Sequence, residues 1–155
     1  MKIGFVLDDG LNKPDGVQQY IVMLGTYMRS RGHEVHYLVG ETQRDDIPNL
    51  HSMAKNIRVH FNGNSLTIPL PASGRNITAL LEQEKFDVLH VQTPHSPFMG
   101  AKVVRRAAPD TVIVGTFHIL PFGVLAYIGT WLLGLVLWNN VRRFDDFMSV
   151  SQPAA

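Results

Sequence analysis

Short apolar runs of strand length alternate along this chain with longer segments whose apolar residues recur every three or four positions. Few architectures accommodate that alternation. Ile3 to Leu7 is almost entirely apolar, as a central strand covered on both faces must be. Asp15-Gly16 then opens a segment with Val17, Tyr20, Ile21, Leu24 and Met28 at helical spacing. Within it, Gly25 permits close approach to a sheet, and Gly32 supplies a stop. Val35 to Val39 reads as the next strand, and Gly40 to Lys55 is polar and irregular. "IRVHFNG" reads as a strand and "SLTIPLPAS" as extended chain or loop. Ile77 to Lys85 forms a short helix, "FDVLHVQ" a buried strand, Ser96 to Ala107 a helix, "TVIVGTF" a buried strand and "DDFMSVS" a last strand. The pattern predicts an α/β fold: a parallel sheet flanked by helices on both faces and joined by right-handed crossovers.

The remaining totals narrow the function. A chain of 155 residues with 45% apolar and 17% charged content is enough for one domain with a full core. A net charge of +1, with no long basic run, argues against a nucleic-acid partner. The absence of cysteine excludes disulfides and thiolate chemistry. The amino-terminal "MKIGFVLDDG" ends its apolar run in two acids, which suits a first strand and not a signal peptide.

In parallel α/β sheets, ligands sit at the carboxyl ends of the strands. Four stretches occupy such ends: Asp8 to Gly16, Asn62 to Asn64, Gln92 to Ser96 and Thr116 to His118. At Asp15-Gly16-Val17 a helix begins, where free backbone N–H groups and a partial positive charge favour an anion. A plainer reading makes Asp15 an N-cap and Gly16 a turn residue. Gln18 or Gln19, in the first turn, is placed to hydrogen-bond a polyol, although solvated glutamines are commoner. Asp8-Asp9 has the look of an acidic phospho-acceptor pair, but the third Asp and the Lys that such a site needs are not supplied. His118 follows its strand directly and is a candidate acid–base group or hydrogen-bond donor to developing charge, with an ordinary polar role as the alternative. His90, His95 and His118 offer three imidazoles, yet no local His spacing supports zinc.

Ile119 to Trp138 contains twenty residues and no charge, the length that crosses a bilayer, and Arg142-Arg143 follow it. The run also carries Pro121, Gly123, Gly129 and Gly134. A true span would place "TVIVGTF" and "DDFMSVS" on opposite sides of the membrane and forbid their pairing. The preferred expectation is a segment partly packed on the sheet and partly offered to a membrane surface or another domain.

Taken in order, "PDGVQQY", "RGHEVHYLV", "FDVLHVQTPHSP", "GTFH" and "FMSVSQPAA" resemble the successive motifs of family-4 glycosyltransferases, most of all bacterial phosphatidylinositol mannosyltransferases and their relatives. The resemblance implies a Rossmann-like domain, residues 1–155, forming the acceptor-side amino-terminal half of a two-domain GT-B fold, with the nucleotide-sugar domain lying outside the chain. It implies metal-independent, retaining transfer of a sugar, mannose being the first candidate, from a nucleotide-sugar to a lipid-linked or polyol acceptor. No cofactor is implied beyond that co-substrate. This half alone would be inactive. Carried over by residue, Asp15, Gly16 and Val17 would meet the donor phosphates. Gln18, Asn62, Gln92, His95 and Thr116 would meet the acceptor, and His118 would lie closest to the chemistry. The implied location is cytoplasmic, peripheral to the inner face of the plasma membrane.

The match has departures. Asp15-Gly16 replaces the usual Gly-Gly, Gln92 stands where a second His is common, and His95 replaces a small polar residue. Ile119, Leu120 and Pro121 stand where inositol-lipid enzymes of this kind carry a hydroxyl and a Lys for the acceptor phosphate. Lys102, Arg105 and Arg106 would attract anionic head groups modestly, or simply form a solvated face. Two readings compete: a stand-alone flavodoxin-like binding module, and a membrane-anchored protein spanning at 119–138.

Overall fold

The computed structural model describes residues 1–12, 15–61, 64–69, 72–94, 96–118, 134 and 137–150. In chain order its elements are β1 (Lys2–Leu7), α1 (Gly16–Ser30), β2 (Glu34–Val39), β3 (Leu50–Ser52), β4 (Asn56–Phe61), β5 (Asn64–Pro69) and α2 (Gly74–Glu84). There follow β6 (Val88–Gln92), α3 (Met99–Arg106), β7 (Val112–Phe117), a short α4 (Trp138–Val141) and β8 (Asp146–Ser149). Six strands make one sheet in the order β3-β2-β1-β6-β7-β8. Every pair in it is parallel. The parallel sheet expected from the alternation is present, Rossmann-like as the family resemblance implies.

Strand alternation sorts the core into two faces. Ile3, Phe5 and Leu7 of β1 and Val35, Tyr37 and Val39 of β2 pack with Ile21 of α1. Val6, Leu38, Leu89, Val91 and Ile113 pack instead with Ile77 and Leu81 of α2 and with Val103 and Val104 of α3. Each fully buried large apolar side chain is worth about 1.5–3 kcal/mol, and both faces carry many of them. Gly25 brings α1 hard against β2: a Cβ there would lie 2.1 Å from the Tyr37 hydroxyl.

Two features depart from the strict alternation. A short strand, β3, lies inside the polar stretch after β2 and pairs with it. "SLTIP" falls in β5, which pairs antiparallel with β4 as a separate two-stranded sheet. Helices α2 and α3 each begin about one turn from where periodicity alone sets them, at Gly74 and Met99. Ser73 caps α2, accepting from the Asn76 amide.

The helix over 16–30 matches its sequence signals. Asp15 is the N-cap, its carboxylate accepting from the Gln18 amide, and Gly32 adopts φ +84° just past the end. Among the described residues no helix is long and apolar enough to cross a membrane. The apolar segment from 119 lies outside the described residues up to 133, as do 135 and 136. The strands flanking it are described, and β7 and β8 run side by side and parallel.

Candidate functional site

The parity that divides the core also locates the site. On β6, Leu89 and Val91 face α2 and α3. His90 and Gln92 therefore face α1, as do Thr116 and His118 at the carboxyl end of β7. Four polar residues thus occupy positions that elsewhere on this face hold Val, Phe or Tyr. Burying them unpaired would cost roughly 1–3 kcal/mol per group, and each has found a partner. His90 is 5% exposed and Thr116 1%, and His90 Nε2 lies 2.6 Å from Thr116 Oγ1. Gln92 is 1% exposed. It donates from Nε2 to the His90 carbonyl at 3.4 Å, and its Oε1 lies 2.6 Å from His118 Nε2.

The histidines are thereby held neutral. Burial pushes His90 down to about 4, with the neighbouring His118 ring acting in the same direction. Burial also lowers His118, while the Asp15 carboxylate pulls it partly back. That influence places the cap of α1 and the end of β7 within electrostatic reach of each other. Tyr20, one turn into α1, closes the gap. Its ring meets His118 edge-on at 5.2 Å and His90 at 6.4 Å.

At the start of α1, Asp15 is fully occupied with its own helix. Oδ1 accepts from the Gln18 amide at 2.9 Å, and Oδ2 from Gln18 Nε2 at 3.3 Å. The Asp15 carbonyl accepts from the Gln19 amide. Gly16 is exposed and Val17 half-buried. A Cβ on Gly16 would meet no atom within 4 Å. An open helix terminus with a side-chain-free first residue is what an anion requires. Gln18, 4% exposed, lies beneath this turn. A cleft of about 420 Å³ continues along α1, lined by Leu11, Asn12, Gln18, Gln19, Met23 and Arg44.

Of the sequence-predicted residues, Asp15, Gly16, Val17, Gln18, Gln92, Thr116 and His118 therefore gather around one rim of the sheet. Gln92 and Thr116 stand below its surface as supports for the two imidazoles. Asn62 and His95 lie outside the described residues. Tyr20 was read only as an apolar helix position. Its spacing of four from Gly16 carried the missing signal, because it sets the ring over the same helix end.

Two other concentrations of polar groups are separate from this rim. Asp8, at the end of β1, points to the opposite face and accepts from the Gly100 amide at 2.7 Å, at the start of α3. Burial holds its carboxyl above the usual range, with the Ser96 hydroxyl and the Gly100 and Met99 amides opposing. At the far, amino-terminal edge of the sheet, ligand atoms of Glu34, His36 and Glu84 lie within 4.8 Å of one another. Lys2 Nζ sits among them, 3.2 Å from Glu34 and 2.9 Å from Glu84. A larger concavity of about 640 Å³ also lies at that edge, beside Phe86, Asp87 and Thr111. In a parallel sheet, though, chemistry gathers at the opposite end. Lys102 donates from Nζ to the Ala72 carbonyl at 2.9 Å, which ties that cation to the domain.

Comparison with known proteins bears on this arrangement. The family model for Glycosyltransferase Family 4 matches residues 14–155. The chain belongs to glycosyltransferase family 4. Similar family-4 relatives are named phosphatidyl-myo-inositol mannosyltransferase. Those of Mycolicibacterium smegmatis and Mycobacterium tuberculosis are each 30% identical over 120 residues, covering 76% of this chain and 31% of the relative. One from Propionibacterium freudenreichii is 26% identical, covering all of this chain and 42% of its own length. The chain thus spans about a third of the length of the curated relatives it matches. Among solved structures, an α-glucosyltransferase in complex with UDP and a 13-mer DNA superposes with TM-score 0.63 at 19% identity. It covers 99% of this chain and 38% of that one. At that identity the likeness speaks for the fold, that of GT-B glycosyltransferases.

Proposed function

We propose that this family-4 domain is the acceptor-side half of a retaining glycosyltransferase that moves a sugar, mannose first among candidates, from a nucleotide-sugar to a membrane-linked acceptor. The observation that carries the reading is the juxtaposition on one rim of the open Gly16 turn and the neutral His118, bridged by Tyr20 and Asp15. The amides of Gly16 and Val17 would receive the donor diphosphate. His118 and the first turn of α1 would face the acceptor. The α1 amides would need no metal to meet an anion, because the helix terminus supplies the positive potential.

Relatives named for phosphatidyl-myo-inositol support a lipid acceptor of that kind. Replacement of the hydroxyl and Lys by Ile119, Leu120 and Pro121 leaves the acceptor phosphate to other groups. We place the membrane contact as peripheral, at the cytoplasmic face; the parallel pairing of β7 and β8 bears on the peripheral part of that reading. Strands side by side in one sheet lie on one side of a bilayer, which weighs against a single crossing between them. The donor would be held mainly by a second domain closing over this rim.

The test is transfer of label from a nucleotide-mannose donor into phosphatidylinositol vesicles. The 155-residue chain alone should give none. A polypeptide joining it to a nucleotide-sugar domain of a family-4 mannosyltransferase should give label in the lipid phase. Turnover by the chain alone, or label in water-soluble product only, would overturn the assignment.

A further inference from the structure

Gln92 is a buried amide of the rim network, and both ends of it are committed. Its Nε2 can only donate, and the partner on that side is the backbone carbonyl of His90, fixed within β6. That contact orients the amide so that the oxygen faces His118. An amide oxygen can only accept, so His118 Nε2 must carry a proton. Burial holds the ring neutral near physiological pH. A neutral imidazole protonated at Nε2 has a bare lone pair at Nδ1.

We propose that Gln92 is a positioning residue that fixes the tautomer of His118, so that the ring meets its ligand through Nδ1 as a hydrogen-bond acceptor. The inference deepens the sugar-transfer reading and rests on it for the identity of the ligand. A lone pair selects a group that brings its own proton. The partner of His118 is therefore a hydroxyl of a polyol or sugar, and not a phosphate oxygen. Phosphate goes to the α1 amides, which can only donate. The rim then divides its labour by hydrogen-bond polarity: donors at Gly16 and Val17 for anions, an acceptor at His118 for hydroxyls.

Among the described residues, the charged and titratable groups facing the ring are Asp15 and Tyr20 from α1 and His90 from β6. Asp15 favours the imidazolium, and protonation would convert Nδ1 to a donor. The arrangement thus loses its acceptor as pH falls through the lowered His118 value. Burial holds His90 itself down to about 4.

The experiment is a long-range ¹H–¹⁵N correlation spectrum of the histidine rings of the 155-residue chain, with His118 assigned through His118→Gln. Wild type should show an unprotonated Nδ1 and an Nε2–H signal protected from solvent exchange at neutral pH. Gln92→Met should lose that protected signal. Gln92→Glu keeps an acceptor oxygen but adds charge, so the Nε2–H signal should persist while Nδ1 becomes protonated at pH values where wild type is neutral. A wild-type ring protonated at Nδ1, or an unchanged protected Nε2–H in Gln92→Met, overturns the proposal. Because no substrate is present, these spectra can fail while sugar transfer succeeds, and the converse. The two readings are therefore separately refutable.

Discussion

Gly16 illustrates how little a residue would need to offer to an anion under the proposed function. Its backbone starts α1, and the space where a side chain would stand is empty. Gly16→Val should therefore leave the fold intact, with stability changed by no more than about 1 kcal/mol, the scale of helix propensity. It should nevertheless abolish transfer by the two-domain enzyme, since two methyl groups would stand where a phosphate must approach. Thermal denaturation of the chain and a lipid-label assay check the two halves of that statement. Retained transfer would demote the turn to a structural one. The same contrast explains what was legible. The open helix start at Gly16 followed from its place after a strand and before a helix. The contact of Gln92 with His118 did not, because only the register of β6 against β7 reveals which side chain its amide touches.

At the scale of elements, most of the architecture was readable because periodicity is a direct imprint of burial. Strands β1, β2, β6 and β7 are apolar runs flanked on both faces, and their positions follow from that alone. What escaped was structure that burial does not dictate. Strand β3 is only three residues of edge and is recruited by pairing with β2. Pairing similarly made a strand of "SLTIP", which offered little alternation of its own. The contact of α1 with β2 was anticipated from Gly25, and it gives a quantitative test. Gly25→Ala would drive a methyl into the Tyr37 hydroxyl and should cost about 1–3 kcal/mol. Tyr37→Phe removes that hydroxyl but leaves the ring Cζ 2.8 Å from the added methyl, so it should recover part of the loss in the double variant. Urea unfolding of the four proteins measures the coupling, and additive effects would show that the helix yields instead of clashing.

Across the whole molecule, the two ends of the sheet respond oppositely to acid. Asp8, at the carboxyl end, has its carboxyl raised above 3.8 by burial. Its contribution to stability is full below that value and is lost as pH rises through the raised one. Glu84, toward the amino end, is lowered below 4.5, first by its hydrogen bond from Lys2. Its contribution is present above 4.5 and is lost as pH falls through the lowered value. Asp8→Asn, which keeps an oxygen for the Gly100 amide, should raise the denaturation midpoint at pH 7 and have little effect at pH 3. Glu84→Gln should lower the midpoint at pH 7 and blunt the acid-induced loss. Midpoints measured from pH 3 to pH 8 decide both, and a shift of the same sign in the two variants would refute the account.

The loops leaving β1 and β2 are interleaved at the backbone. A Cβ on Gly10 would fall 2.0 Å from the Glu41 carbonyl oxygen, and one on Gly40 would fall 2.6 Å from that of Asp8. Gly40 donates to the Asp9 carbonyl, and Asn12 gathers Glu41, Thr42 and Gln43 by hydrogen bonds. Two segments meshed like this cannot slide independently, so a push on the stretch before Gly16 is felt at once beyond Val39. Variation in either loop would therefore have to be matched by the other to keep these contacts.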